Sequence, residues 1–304
     1  MAQDHPFAED LDRVRRALAD LFSPAAIGWQ LGGTMAAALC FAVACWGAEQ
    51  ILPRSGAIAF ILTGAGFILA YIILCVTGCI VAHSLTSPEV IEDPAASAHF
   101  LIDHAGTAFL LPFAASAAAV AITAVASGLA ALWTYPVWQS VLVIPAAAAF
   151  VILFLIVITL FVLLLIIPAM VVVEQSSFSD VFWNLRHLLW TRKAAIVRIF
   201  GVGLAVAAVV AVPVLLAVHA TIGLAAWIYN LAAGAPIGDF PSFVLTMLKA
   251  VLVWAPVLAV PLVFLNALSL HSYDELGGPI EETEESSDET QEPGTETPEE
   301  ASTD

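Results

Sequence analysis

One group of residues in this chain has ligand-like spacing: Cys75, Cys79 and His83. Steps of four residues place them in a single helical stripe that drifts about 40° per step. Two thiolates and an imidazole suit zinc or copper(I) when a fourth ligand joins them; buried cysteines otherwise act as small hydrophobes. Cys40 and Cys45 show no such pattern. His219, Lys249 and Asn266 interrupt apolar stretches, where such side chains are candidates for substrate contact or for bonding between helices. Arg186, Arg192, Lys193 and Arg198 form a basic patch suited to anionic lipid headgroups. The chain has no phosphate loop, HExxH, nucleophile elbow or dinucleotide fingerprint. Its acids lie between apolar segments, at positions such as Glu49, Glu92, Asp103, Glu174 and Asp239, rather than within them. That placement argues against an ion-coupled pump. The expectation is a chain with no catalytic residues and no cofactor.

The elements that position these residues follow from composition. Of 304 residues, 61% are hydrophobic and 12% charged, and the mean hydropathy is +0.95. A soluble globule is nearer half apolar and a quarter charged. Six apolar segments, near 28–48, 57–82, 107–132, 143–171, 194–217 and 243–268, are long enough to cross a bilayer as helices. The first begins too far into the chain, and without a basic flank, to read as a cleavable signal peptide. Seven of the nine Lys and Arg residues fall inside if the N-terminus is cytoplasmic, leaving only Arg54 and Lys249 outside. Both termini are therefore expected in the cytoplasm, and the chain in the cytoplasmic (inner) membrane as a multi-pass protein.

The spacing also predicts helices lying in the cytoplasmic interface. In 7–22, Phe7, Leu11, Val14, Leu18, Leu21 and Phe22 share a face, and Ser23-Pro24 ends the helix. In 178–193, Phe178, Val181, Phe182, Leu185, Leu188 and Leu189 follow helical spacing, with Phe178, Phe182, Leu185 and Leu189 as the anchoring stripe. Ser177 and Asp180 offer a capping box, and Trp183 and Trp190 suit the headgroup level. Residues 94–104 are a weaker counterpart. The chain thus divides into a cytoplasmic segment (1–24), a six-span all-α membrane domain (25–272) arranged as three helix pairs, and an acidic tail (273–304). Residues 281–304 hold 11 of the 26 acids and no Lys or Arg, so most of the net charge of −17 belongs to the tail. With almost nothing to bury, the tail is expected to be disordered. The acidic balance excludes nucleic acid as a partner. The alanine-rich third span is expected at the centre of the bundle, because small residues let helix backbones approach. Pro168, Pro213, Pro256 and Pro261 are candidate kinks.

The stretch from Pro168 to Phe200, PAMVVVEQSSFSDVFWNLRHLLWTRKAAIVRIF, resembles a signature of six-span prokaryotic membrane proteins. It is similar to the membrane domain that precedes the catalytic domain in some glycerophosphodiester phosphodiesterases, and to related stand-alone proteins of unknown function. In that pattern a span ends in a proline and a Val-rich run with Glu, here Pro168 and Val171 to Glu174. A basic, aromatic amphipathic helix follows, here Phe178 to Lys193. The resemblance implies the six-span layout but no phosphodiesterase activity, since only the acidic tail follows the sixth span.

The expected function is a non-catalytic membrane protein with a scaffolding, lipid-interacting or regulatory role. Its partners would be membrane lipids and, through 7–22 and 178–193, other membrane proteins. A transporter or permease for a small solute or lipid is the alternative, with the repeated helix pairs framing its site. The charge asymmetry makes the map testable. Reporter fusions after Glu281 and within 178–193 are expected to read cytoplasmic, and fusions near Gly234 external. A C-terminal tag accessible from outside intact cells overturns the map.

Overall fold

The computed structural model describes residues 6–86, 94–133, 136–174, 178–233 and 247–276. Among them every regular element is a helix. The order is α1 (Pro6–Asp20), α2 (Pro24–Ile51), α3 (Gly56–Thr86), α4 (Pro94–Asp103), a π turn (Gly106–Leu110) leading into α5 (Leu111–Trp133), α6 (Pro136–Glu174), α7 (Phe178–Thr191), α8 (Lys193–Ala233), and a second π turn (Ala250–Trp254) leading into α9 (Ala255–Leu276). Six stretches are long and apolar enough to cross a membrane: Pro24–Ile51, Gly56–Thr86, Gly106–Leu129, Ala147–Glu174, Lys193–Thr221 and Met247–Tyr273. The chain is a polytopic, all-α membrane protein. The acidic tail (281–304), Ser177 and the loop around Gly234 lie outside the described residues.

Local chemistry sets the breaks between helices. Ser23 caps α2, its hydroxyl oxygen accepting the Ala26 N–H at 3.4 Å, and Pro24 supplies the first turn. Both π turns run directly into prolines, Pro112 and Pro256. A proline lacks the N–H that would bond four residues back and crowds that carbonyl, and a widened turn is one way a helix absorbs both faults. Pro168, Pro213 and Pro261 lie inside continuous helices.

Close approach joins α2 to α3. A Cβ on Gly33 would stand 2.0 Å from the Thr77 hydroxyl oxygen, and one on Gly66 would stand 2.2 Å from the Ala44 Cβ. These positions admit no side chain, so the two backbones lie as near as small residues permit. Farther along α3, Gly78 receives Pro168 of α6, and the Tyr71 hydroxyl donates to the Leu160 carbonyl of α6 at 2.7 Å.

The centre of the bundle differs from the sequence expectation. The third span is peripheral: Ala114, Ala118, Ala121 and Ala124 of α5 are exposed, and α5 packs mainly on α3 and α6. Alanine permits approach but brings little area to bury, so it does not compete for the middle. The sixth span takes that place, with 50% of its most apolar window buried against at most 33% in the others. It packs on α2, α3, α6, α8 and α1.

The largest core lies at one end, where α1 and α7 close over the spans. Ile166, Ile167 and Met170 of α6, Phe264 and Leu268 of α9 and Phe200 of α8 are buried there. Val14 and Ala17 of α1 and Val181, Leu185 and Leu188 of α7 complete it. Leu11 and Phe22, expected on the same face of 7–22, are instead exposed, because the core meets the side that carries Val14 and Ala17. Toward the opposite end Phe150, Val157, Val209 and Leu216 stand exposed, as lipid-facing residues do.

This packing corrects the stripe read for 178–193. The inward face of α7 is Val181, Leu185 and Leu188, whereas Phe182 is 45% exposed and Leu189 partly buried; the Phe178 side chain lies outside the description. The helix docks on protein through its aliphatic side, because that side meets an apolar cluster already formed by α6, α8 and α9. Leu185→Glu is therefore expected to cost roughly 4 kcal/mol or more, and Phe182→Glu no more than roughly 1 kcal/mol. Folded yield in detergent, read by size-exclusion chromatography and thermal melts, separates them; equal losses would mean that the aliphatic face is not docked.

Candidate functional site

Two polar regions occupy the densely packed end, one inside the bundle and one on its surface. Inside, the Asn266 amide of α9 donates to the Gln30 side-chain oxygen of α2 at 3.3 Å. Both residues are buried, and Gly78 lies against the Asn266 amide with Pro168 of α6 close beside that glycine. An amide in hydrocarbon must find a partner, and here the first span supplies the last span's. Among the described residues the Asn266 Oδ1 has no hydrogen-bond partner, nor have the Ser269 and Ser272 hydroxyls on the same helix. Thr34 and Thr77 return their hydroxyls to carbonyls of their own helices, Gln30 at 2.7 Å and Ile73 at 2.7 Å.

Nearer the bundle end, Glu174 finishes α6 and bridges two other helices. The Asn184 amide of α7 donates to one carboxylate oxygen at 3.2 Å, and the Tyr273 hydroxyl of α9 donates to the other. Helix α1 is held by charge as well as by its apolar face. The Arg198 guanidinium of α8 donates to Asp10 at 3.2 Å, and Arg13 meets the same carboxylate at 3.1 Å. At its other end Asp20 pairs with His271 of α9 at 2.7 Å. Partly buried pairs of this kind fix the seat of a helix more than they stabilise the whole.

The surface region is the outer face of α7. Trp183, Arg186, His187 and Trp190 line a cleft of about 410 Å³. The Arg186 guanidinium lies 5.2 Å from the Trp183 ring centroid, and the Lys193 ammonium 6.0 Å from that of Trp190. Such contacts orient the cations and spare their N–H groups for a ligand.

The structure separates most of the residues singled out by sequence. Cys75 and Cys79 are fully buried, Cys75 among Tyr71, Ala119 and Leu160. His83 stacks on Phe100 of α4 at 4.3 Å, and Phe100 on His104 at 4.5 Å. Among the described residues no three His, Cys, Asp or Glu side chains are placed to hold a metal ion. His219 and Lys249 are exposed on α8 and before α9, away from Asn266. Of the basic patch, Arg186, Arg192 and Lys193 are exposed, while Arg198 is engaged by Asp10.

Sequence reasoning missed Gln30, the Glu174 bridge and the two anchors of α1. Gln30 carried a usable signal, since a lone carboxamide in an apolar span demands a partner. Glu174, Asp10 and His271 carried none, being ordinary boundary residues whose partners lie far away in the chain. Comparison with protein families, curated proteins and solved structures finds no match for this chain.

The buried amide pair makes a direct prediction. Gln30→Leu and Asn266→Leu should each destabilise the bundle. The double variant should lose less than the sum, with a coupling of about 0.5–1.5 kcal/mol. Unfolding in mixed micelles measures this cycle, and strictly additive losses would show that the contact carries no energy.

Proposed function

We propose that this polytopic membrane protein is a non-catalytic, lipid-interacting scaffold of the cytoplasmic membrane, with both termini inside and the spans taken as three successive helix pairs. One observation carries the reading: α1 and α7 seat their apolar faces in one core at one end of the bundle, leaving exposed cations and tryptophans on the outer side of α7. Basic and aromatic side chains together suit the water–lipid boundary of an anionic leaflet. The likeness of residues 168–200 to the membrane domain of membrane-bound glycerophosphodiester phosphodiesterases agrees with this role and rests on sequence alone. The exposed faces of 7–22 and 178–193 would also be available to other membrane proteins.

Transport, the second reading, has only the amide pair in its favour. Asn266 is buried against Gln30 and Gly78, and Lys249 is exposed elsewhere.

The scaffold reading predicts selective lipid contact. Native mass spectrometry of the full chain, extracted from its own membrane in mild detergent, should find anionic phospholipids enriched over their bulk fraction. Retained lipids that merely match the bulk composition would overturn it.

A further inference from the structure

Helix α7 has two faces of different chemistry. With 100° per residue, Val181, Leu185 and Leu188 centre on one direction, while Trp183, Arg186, His187 and Trp190 centre about 180° away. The first set is buried in the core. The second holds Trp183 at 56% and Trp190 at 82% exposure. Two indoles bared on one stripe are costly in water but stable at headgroup depth, where the ring meets acyl carbon and the N–H meets water.

We infer that the outer face of α7, with the first residue of α8, is a binding site for one anionic phospholipid headgroup. The inference rests on the lipid-interacting reading and names the ligand and its residues. Arg186 faces no carboxylate within ion-pair distance among the described residues. Its guanidinium is set against the Trp183 ring, which leaves the fork of N–H groups to take two phosphate oxygens side by side. Lys193, over Trp190, adds a second positive charge about two turns beyond Arg186, roughly 10 Å away at helical rise. Trp183 and Trp190 alternate with these charges along the helix and would cover the glycerol and upper acyl carbons. A zwitterionic headgroup carries its own ammonium, which these cations repel, so the excess positive charge selects an anionic lipid. The tryptophans select a lipid over a free anion.

The test uses the full-length protein in nanodiscs of phosphatidylcholine with phosphatidylglycerol, followed by detergent release and native mass spectrometry of the retained lipid. Arg186→Gln should lower retention of phosphatidylglycerol about tenfold, and Arg186→Lys less. Trp183→Ala with Trp190→Ala should lower it without changing the melting temperature by more than a few degrees. Arg54→Gln, in the turn at the opposite end of α2, should match the parent. Inorganic phosphate in millimolar excess should fail to displace the lipid, as should a synthetic peptide of residues 281–304.

Unchanged retention in folded Arg186→Gln overturns the site, while enrichment in the parent alone would keep the broader lipid reading intact. Absence of enrichment in the parent removes both. An equal loss in Arg54→Gln means diffuse charge attraction rather than a site. Displacement by phosphate or by the acidic peptide means that a free anion or the chain's own tail is the occupant, and overturns the assignment.

Discussion

Bilayer hydrocarbon offers no hydrogen-bond partner, and the architecture of this protein depends on that constraint. Backbone groups in the spans bond within their own helices, which is why each apolar stretch is helical. The same demand falls on side chains. Thr34 and Thr77 satisfy it locally through carbonyls one turn back. Gln30 and Asn266 cannot, so they meet each other and tie the first span to the last. A contact between residues so far apart in the chain closes the bundle, and α9 becomes central partly because its amide has to be there.

Packing then divides labour between the two ends. At the opposite end the helices touch through small residues and leave large apolar side chains to lipid. At the α1 end, large aliphatic side chains from spans and surface helices fill one core. Helices α1 and α7 therefore close over this end of the bundle. Their seats are set by polar contacts at the edge of that core: Asp10 with Arg198, Asp20 with His271, and Glu174 with Asn184 and Tyr273. Each of these contacts joins a boundary residue to one on another helix, so the helices at this end are cross-linked to one another.

Function follows from what this docking leaves outside. Once the aliphatic side of α7 is consumed by the core, the cations and indoles of its other side stand exposed among the described residues. Arg198 shows the contrast. It belongs to the same basic run but turns to Asp10, so its charge is largely spent within the protein. The proposed anion site therefore centres on Arg186 and Lys193, each beside a tryptophan.

The six spans, the helical class and the amphipathic helices at 7–22 and 178–193 were legible in the sequence, because length, hydropathy and spacing of apolar residues express local demands of backbone and solvent. The break at Ser23-Pro24 was legible for the same reason. Which face of α7 is buried was not: its apolar and aromatic residues fill most of the helix circumference, and only the cluster from α6, α8 and α9 selects Val181, Leu185 and Leu188. Nor was the central helix legible, since the alanines of α5 advertise close approach while buried area decides who sits inside. Cys75, Cys79 and His83 shared a stripe as expected, but a neighbouring helix drew His83 to Phe100. Local sequence settles what each segment must become in a membrane. The partners of Gln30, Glu174 and Asp10 were decided only by tertiary structure, because a polar side chain leaving water pairs with whatever the fold brings within about 3 Å.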